Sequence, residues 1–283
     1  MPNFQLLRFS HRRPGQHNHR RKESRLMNTP ALIFAMLAMA ARISSCNPDE
    51  VVVQAHDYNS RESGTLPLDP VRAIVVANEL GPVFIEGGSD TSTVRWFLDK
   101  NVTAESQDQA EQLFPQLSVT LQSLNDTAFI SLRSVPQVNF NPSALSLTLP
   151  YWIPCTLRRV SIATHVSYLR STFIGENIGN TTILGHEGNC ILSGSKGQVS
   201  VETALPDSGL CMVAMAEGDI ILKVPASTSS LFSAVTANGT IAYSGLVIND
   251  RVTTSQSLTG RLGSGRGNIQ LTTAKGNISI VGH

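Results

Sequence analysis

Three acidic residues in the last hundred residues of the chain have the type and placement to act on polysaccharides. Glu187, Glu217 and Asp219 would approach one another if the segments that carry them stack in layers. Two carboxyl groups on one outer face can cleave a glycosidic bond. The other acids of this region are scattered through turns and outward positions, where solvation explains them. We therefore predict no catalytic residue and keep a polysaccharide hydrolase or lyase as the alternative.

Two histidines have neighbours of catalytic or metal-binding type. His165 with Asp207-Ser208-Gly209 resembles the surroundings of the catalytic histidine and serine of chymotrypsin-like proteases, but the separation is too short for two barrels with a third acidic member between them. His186 and Cys190 are four residues apart, a metal-binding spacing on a helix. They flank Gly188 in a turn before a strand, where that spacing does not place both on one face. The sequence therefore predicts no metal and no cofactor.

The elements that position these residues are set by a five-residue phrase: Gly, polar, aliphatic, any, aliphatic. Each copy indicates a turn followed by a short strand, since glycine supplies positive φ and alternate aliphatics point to one face. The intervals between copies are 9, 21, 21, 28 and 9 residues, close to multiples of a unit of roughly nine to ten residues, which favours a stacked repeat architecture. The predicted turn glycines are Gly188, Gly197, Gly218, Gly239, Gly267 and Gly276.

The pattern predicts an all-β fold, a parallel β-helix or β-solenoid with an N-terminal cap of strands and one short helix. In the cap, Ser106 and Gln109 form a capping box for a helix that Pro115 ends. Alternating runs on either side of Asn125-Asp126 predict a hairpin. The predicted organisation is a leader over 1–46, a flexible tether over 47–70, the cap and first strands over 71–140, and β-solenoid repeats over 141–283.

The leader indicates export. A basic stretch precedes an apolar run from Ala31 to Ala41, which is too short to span a membrane and has the length of a signal-peptide core. The run ends in Ile43-Ser44-Ser45-Cys46, which resembles the bacterial lipobox. We therefore predict that Cys46 is lipidated and anchors the mature protein on the periplasmic or cell-surface side of a bacterial membrane. The alternative is an ordinary signal peptide that is simply cleaved, since Arg42 departs from the lipoprotein pattern.

The distribution of charge excludes nucleic acid as a partner. The formal net charge is +1, and the basic residues cluster in the leader, so the folded part has no basic surface of the kind that binds nucleic acid.

Cys190 and Cys211 occupy aliphatic positions of strand phrases, where a free buried thiol acts as a small apolar side chain. With Cys155 they make an odd count, and we predict no essential disulfide.

Several segments, in order along about three quarters of the chain, carry a family resemblance. They are residues 74–78 with 81–87, the acidic helix 105–113 leading into 117–119, the strand-proline boundaries 147–150 and 222–226, and the closing segment 263–273. In these segments the chain resembles the DUF4097 family, bacterial adhesin-like proteins with β-strand repeats. The resemblance implies a right-handed β-helix outside the cytoplasm with no established chemistry. Residues 151–185 depart from the family pattern through bulky and basic side chains.

This departure indicates where a partner would bind. Tyr151, Trp152, Arg158, Arg159 and Tyr168 interrupt the repeat, and we predict them as the binding residues of a non-enzymatic, adhesin-like surface or envelope scaffold. The expected partner is a glycan or an envelope or surface protein. The last phrase reaches Ile280, directly before the final residues of the sequence, which predicts an uncovered strand at that end and end-to-end self-association.

Overall fold

Short strands form most of the fold. The computed structural model describes residues 54–89, 92–135, 140–160 and 162–283, so the predicted leader and Cys46 lie outside the described residues. The helix α1 is Gln107–Leu113, followed by a 3₁₀ turn at Phe114–Gln116. The strands are β1 His56–Pro67, β2 Ala73–Ala77, β3 Val83–Gly88, β4 Thr93–Ala104, β5 Leu117–Leu124, β6 Thr127–Ser134, β7 Ala144–Pro150, β8 Cys155–Arg158, β9 Ala163–Ser167, β10 Phe173–Glu176, β11 Asn180–His186, β12 Cys190–Lys196, β13 Val199–Thr203, β14 Leu210–Glu217, β15 Ile220–Val224, β16 Ser230–Asn238, β17 Ile241–Ser244, β18 Ile248–Thr253, β19 Ser257–Leu262, β20 Gly267–Lys275 and β21 Ile278–Gly282.

The strands belong to two sheets, and from β7 to β17 the chain passes alternately from one to the other. Within the described residues, sheet A has ten strands in the order β1-β4-β7-β3-β9-β11-β13-β15-β21-β17. Sheet B has eleven, in the order β18-β19-β16-β20-β14-β12-β10-β8-β2-β6-β5. Pairing is parallel in the middle of both sheets and antiparallel in the capping pairs, such as β1 with β4 and β18 with β19. The predicted all-β class is confirmed, with two large and mostly parallel sheets.

The core lies between the inward faces of these strands. In-register pairing brings the same position of the phrase into contact from one strand to the next, so aliphatic side chains stack in columns. Each fully buried aliphatic residue contributes about 1.5–3 kcal/mol, and the contributions accumulate over successive layers. One buried column of sheet A contains Leu147, Ile85, Val166, Ile183, Val201, Leu222 and Ile280.

The glycines of the phrase lie at the corners between strands. Positive φ, the predicted reason for glycine there, holds for only some of them. Positive φ occurs at Gly197, Gly218 and Gly276, with values of 143°, 135° and 152°. The same explanation is wrong for Gly188, Gly239 and Gly267, which lie outside the positive-φ region. At Gly239 the cause is close approach, because an added Cβ would overlap the carbonyl oxygen of Gly276 in the next layer. Gly188 is constrained in the same way by the carbonyl oxygen of Ser171, and an added Cβ at Gly267 would lie 3.0 Å from the carbonyl oxygen of Gly209.

The polar position after the corner glycine connects neighbouring layers. Asn189 accepts a hydrogen bond from the backbone N–H of Leu210 through its Oδ1 atom, at 2.8 Å. Asp219 accepts one from the backbone N–H of Asn277 at 2.7 Å. These bonds satisfy backbone donors that the turn would otherwise leave without a partner inside the protein. The polar residue of the phrase therefore has a structural role between layers.

The final layer is inserted between earlier ones. Strand β20 lies between β14 and β16, and β21 lies between β15 and β17. The prediction of an uncovered strand ending at Ile280 is therefore wrong: β21 is paired on both sides, and the outer strands at this end are β17 and β18. The physical reason is that parallel repeats present equivalent edges, so strand pattern alone does not set the order in which layers stack.

Strand β1 occupies residues 56–67 of the segment for which the sequence predicted a tether. It pairs along its whole length with β4. Polar contacts support this pair: Lys100 Nζ lies 2.7 Å from Glu62 Oε2, and Thr103 Oγ1 donates to Asp57 Oδ1 at 2.6 Å. Because most of its side chains are exposed and polar, β1 lacks the apolar alternation that identifies a strand in a sequence.

The helix and the hairpin of the cap form where the sequence predicts them. Ser106 accepts a hydrogen bond from the Gln109 N–H at 3.2 Å and begins α1, and the 3₁₀ turn that contains Pro115 ends it, as predicted. The predicted hairpin is β5 with β6, and Asn125 in its turn has a φ of 57°. None of the helices in the described residues combines the length and apolar character needed to cross a membrane.

Substitution of Gly218 by alanine should destabilise the fold. The new Cβ would overlap the carbonyl oxygen of Gly197, and the residue would have to keep a φ of 135°. We expect the free energy of unfolding to fall by at least about 2 kcal/mol, measured by urea denaturation. The matched control is Gly88→Ala, whose Cβ would meet the Thr148 methyl group at 3.0 Å. A loss at Gly218 no larger than at Gly88 would contradict the layer-spacing argument.

Deletion of residues 267–283 tests the inserted layer. Without β20 and β21, β14 and β15 each lose the partner on one side, and β16 and β17 are no longer joined to the rest of their sheets. We expect thermal melting followed by circular dichroism to lose its single cooperative transition, and limited proteolysis to cut within residues 230–262. An unchanged melting curve with the same protease resistance would show that these strands form a dispensable outer layer.

Candidate binding site

A cleft of about 280 Å³ lies at one corner of the stack, where β3, β9 and β11 end. Its lining comes from successive layers that backbone hydrogen bonds hold in register. The Tyr151 N–H donates to the Gly88 carbonyl at 3.1 Å, the Arg170 N–H donates to the Tyr151 carbonyl at 2.7 Å, and the Glu187 N–H donates to the Leu169 carbonyl at 2.9 Å. Backbone hydrogen bonds between layers therefore hold the walls of the cleft at the spacing of the layers.

Three side chains form a column along one wall of this cleft. The Arg170 guanidinium carbon lies 5.2 Å from the centroid of the Tyr151 ring, in a cation–π contact. On its other side, Arg170 Nε is 3.1 Å from Glu187 Oε2. All three side chains are at least partly exposed, so the cleft offers an aromatic surface, a set of N–H donors and a carboxylate acceptor without net charge.

Tyr168 provides a second aromatic surface. Its φ of 58° places it in the left-handed region, and 61% of the residue is exposed. The ring lies over Gly185: a Cβ added there would be 3.0 Å from Tyr168 Cδ1. Glycine at 185 thus gives the ring room to lie against the backbone. An aromatic ring held in a strained backbone conformation, with most of its area in solvent, is typical of a binding position.

The structure brings only part of the predicted patch to this cleft. Tyr151 and Tyr168 line it, whereas Trp152, which is 37% exposed, does not. Arg158 lies in β8 on the outer face of sheet B and pairs with Glu176 at 2.9 Å. Arg159 pairs with Glu79 at 3.2 Å. Arg158 and Arg159 are therefore separate from the tyrosines, because the turn over 150–153, which contains Trp152, carries the chain from sheet A to sheet B.

Sequence reasoning missed two features of the cleft. Arg170 lies within the irregular segment 151–185, but the sequence pattern marks neither Arg170 nor Gly185 as part of a binding site. The available signal was the position of Arg170 and Glu187 in corners that follow consecutive sheet A strands, β9 and β11. Side chains at equivalent corners of successive layers are neighbours, so an arginine and a glutamate there predict an ion pair.

The three acids of the enzyme alternative do not converge. Glu187 lies in the cleft with Arg170, while Glu217 and Asp219 line a different groove beside Lys196 and Lys275. Lys275 donates a hydrogen bond to Glu217 at 3.1 Å, and together with the charges of Lys196 and Lys275 this holds the pKa of Glu217 below its ordinary value. A general acid needs the opposite shift, because it must keep its proton near neutral pH.

His186 and the cysteines are buried in the core. His186 Nε2 is 3.1 Å from the Asn189 carbonyl oxygen, its Nδ1 has no hydrogen-bond partner, and burial lowers the pKa of the imidazole. Cys190 and Cys211 are paired positions of β12 and β14, and both are buried as predicted. A hydrogen bond with Cys211 and burial hold the pKa of Cys190 well above its usual value, and burial raises that of Cys155 to about 12. In the described part of the chain, no group of three or more His, Cys, Asp and Glu side chains is arranged to hold a metal ion.

These observations define an all-β protein with two mostly parallel sheets and a solvent-open aromatic cleft at one corner. No family model and no curated protein matches the chain. Similar solved structures include a candidate cell adhesion protein from Clostridium sporogenes, with 10% identity, coverage of 80% of this chain and 100% of the other, and a TM-score of 0.48. A candidate adhesin from Bacteroides fragilis has 11% identity, coverage of 79% and 97%, and a TM-score of 0.30. A candidate lipid binding protein from Parabacteroides distasonis has 10% identity, coverage of 79% and 97%, and a TM-score of 0.24.

His186 should make the fold sensitive to mild acid. Burial lowers the pKa of the His186 imidazole in the native state, while in the unfolded chain histidine titrates near about 6.5. Unfolding therefore takes up a proton as the pH falls below that value, and the free energy of unfolding decreases by up to about 1.4 kcal/mol per pH unit. His186→Gln should remove this dependence in urea titrations at pH 7.5, 6.5 and 5.5. His56→Gln, at an exposed position, should keep it; equal pH dependence of His186→Gln and the wild type would contradict the assignment.

Proposed function

We propose that this chain is an exported, lipid-anchored, non-enzymatic β-solenoid of right-handed sense that acts as an adhesin-like binding surface of the bacterial envelope. The parallel, in-register pairing of successive layers supports the solenoid, and the signal-like leader with its lipobox-like cysteine supports export and anchoring. The resemblance to the DUF4097 family agrees with both. The ligand under this proposal is a glycan or the surface of another envelope protein.

The observation that carries the proposal is the cleft formed by Tyr151, Tyr168, Arg170 and Glu187. A sugar ring has an apolar face lined with C–H groups, which packs on a tyrosine ring, and a rim of hydroxyl groups, which bond to guanidinium and carboxylate groups. Protein surfaces that bind other proteins are rich in the same residue types, tyrosine and arginine. Both kinds of ligand fit a rigid corner with two tyrosines and a neutral ion pair.

A binding role explains the carboxylates better than catalysis does. Glu187 is engaged by Arg170, and Glu217 by Lys275, so each has a charged partner at the protein surface. Cleavage of a glycosidic bond by two carboxyl groups requires both on one substrate, about 5–10 Å apart, one of them with a raised pKa. Glu187 and Glu217 lie in different grooves, and the pKa of Glu217 is shifted downward.

The double variant Tyr151→Ala with Tyr168→Ala tests the cleft. Removal of both rings takes away its aromatic surfaces, and we expect binding to glycan arrays or to envelope proteins in pull-downs to weaken at least about tenfold. Stability should change by less than about 1 kcal/mol, because both side chains are exposed.

The matched control is Tyr243→Ala. Tyr243 also carries an arginine over its ring, Arg251 at 5.7 Å, but lies in β17 at the far end of sheet A. Its removal should leave binding unchanged. Equal binding by the double variant and the wild type would refute the role of the cleft, and glycan cleavage in a parallel hydrolase and lyase screen would favour the enzyme alternative.

A further inference from the structure

A single row of side chains crosses the outer face of sheet A. Each strand contributes one residue, and strand register makes consecutive members direct neighbours. With neighbouring strands about 4.8 Å apart, the row is about 40 Å long. We call it the outer row; from β1 to β17 it consists of Ser63, Phe97, Ser146, Phe84, His165, Thr182, Ser200, Ile221, Ser279 and Ala242.

Two aromatic side chains of the outer row are exposed, and the packing of the core does not require them. Phe84 is 44% and Phe97 39% exposed, and both point away from the core. The inward neighbours of Phe84, Val83 and Ile85, already fill the core at that layer and are at most 1% exposed. Phe97 and Phe84 are separated by Ser146, so their strands are two steps apart. Exposed aromatic rings on the face of a sheet lose favourable burial that a ligand would restore.

The row is uncharged along its length. Among its residues, all of which are described, none is Asp, Glu, Lys or Arg, and His165 is the one with a titratable side chain. His165 adds a third ring, 6.5 Å from Phe84 between centroids and tilted by 42°. The remaining members between β7 and β13 carry hydroxyl groups. A row of rings and hydroxyls without formal charge is complementary to a neutral ligand that has both apolar faces and hydroxyl rims.

Grooves lie on both sides of the Phe84–His165 pair. One of about 320 Å³ is lined by Ser146, Thr148 and Ser167, together with Glu86. The other, of about 360 Å³, is lined by Thr182, Ser200 and the side-chain amides of Asn180 and Gln198. Hydroxyl and amide groups act as both donors and acceptors, which matches the hydroxyl groups of a sugar.

We propose that the outer row binds an extended, uncharged polysaccharide that lies across the strands, with sugar rings on Phe97, Phe84 and His165 and hydroxyl contacts in both grooves. The spacing of the row is close to the length of one sugar unit in an extended chain. A peptide that adds to a sheet does so along an edge strand, whereas this row crosses the strands at right angles to them. The proposal extends the proposed binding function to a second surface and shares no residue with the cleft.

The probes are three soluble neutral polymers with extended β-1,4-linked backbones, hydroxyethyl cellulose, arabinoxylan and glucomannan, with polygalacturonate as the charged comparison. The full-length protein is run in native gels that contain each polymer. We expect at least one neutral polymer to retard the wild type, with no loss of retardation at high salt, and polygalacturonate to have no effect. Phe84→Ala with Phe97→Ala should weaken the interaction at least tenfold, while Phe84→Trp should retain it.

The matched control is Leu231→Ala, which removes a side chain that is 55% exposed on the outer face of sheet B and should leave binding unchanged. Thermal melting confirms that each variant is folded. The cleft variant with Tyr151→Ala and Tyr168→Ala should still be retarded, so the two sites can fail independently. Absence of retardation by all three neutral polymers, retention of binding by the double Phe variant, or binding to polygalacturonate alone would overturn the proposal. Capture of an envelope protein that depends on Phe84 and Phe97, without polymer binding, would also overturn it.

Discussion

The distance between hydrogen-bonded layers is the constraint on which this structure depends. Backbone pairing fixes the distance at about 4.8 Å, so every position of the phrase recurs at that interval on the same face. Inside, branched aliphatic residues fill the space, and at the corners the carbonyl oxygens of one layer leave room only for glycine, as at Gly218 and Gly239. The amide of Asn189, after Gly188, and the carboxylate of Asp219, after Gly218, accept hydrogen bonds from the backbone of the next layer. A side chain that alters the spacing at one corner disturbs all neighbouring layers.

The same constraint leaves the outside of the stack free to vary. An outward side chain has no effect on layer spacing, so tyrosine, phenylalanine and arginine are tolerated there without loss of the core. Each of these outward side chains is nevertheless held at a defined position, because its strand is held by its neighbours on both sides. Tyr151, Arg170 and Glu187 form a column for this reason, since they occupy related corners of successive layers. A fold of this kind converts positions far apart in the sequence into rows and columns on its surface.

The sequence predicted the features that depend on local pattern. The strand phrases, the helix that begins after Ser106 and the turn at Asn125 follow from alternation, capping and turn chemistry. Strand β1 escaped prediction because its pairing with β4 depends on polar side chains and backbone bonds, which leave no apolar alternation. The place of β21 escaped because equivalent repeats do not specify which of them become neighbours. Of the predicted binding patch, Tyr151 and Tyr168 came together while Arg158 and Arg159 did not, since sequence proximity does not show at which turn the chain changes sheets.

The inserted layer has a consequence for the order of folding. Strands β16 to β19 precede β20 and β21 in the sequence, yet β16 and β17 are joined to β14 and β15 only through these later strands. Growth of the stack by simple addition of each new layer to the previous one therefore cannot produce the native arrangement. Segment 230–262 must stay detached, or separate again, until residues 267–282 enter between the two edges. Folding of this end requires contacts that are distant in the sequence and is expected to be slower than that of the layers before it.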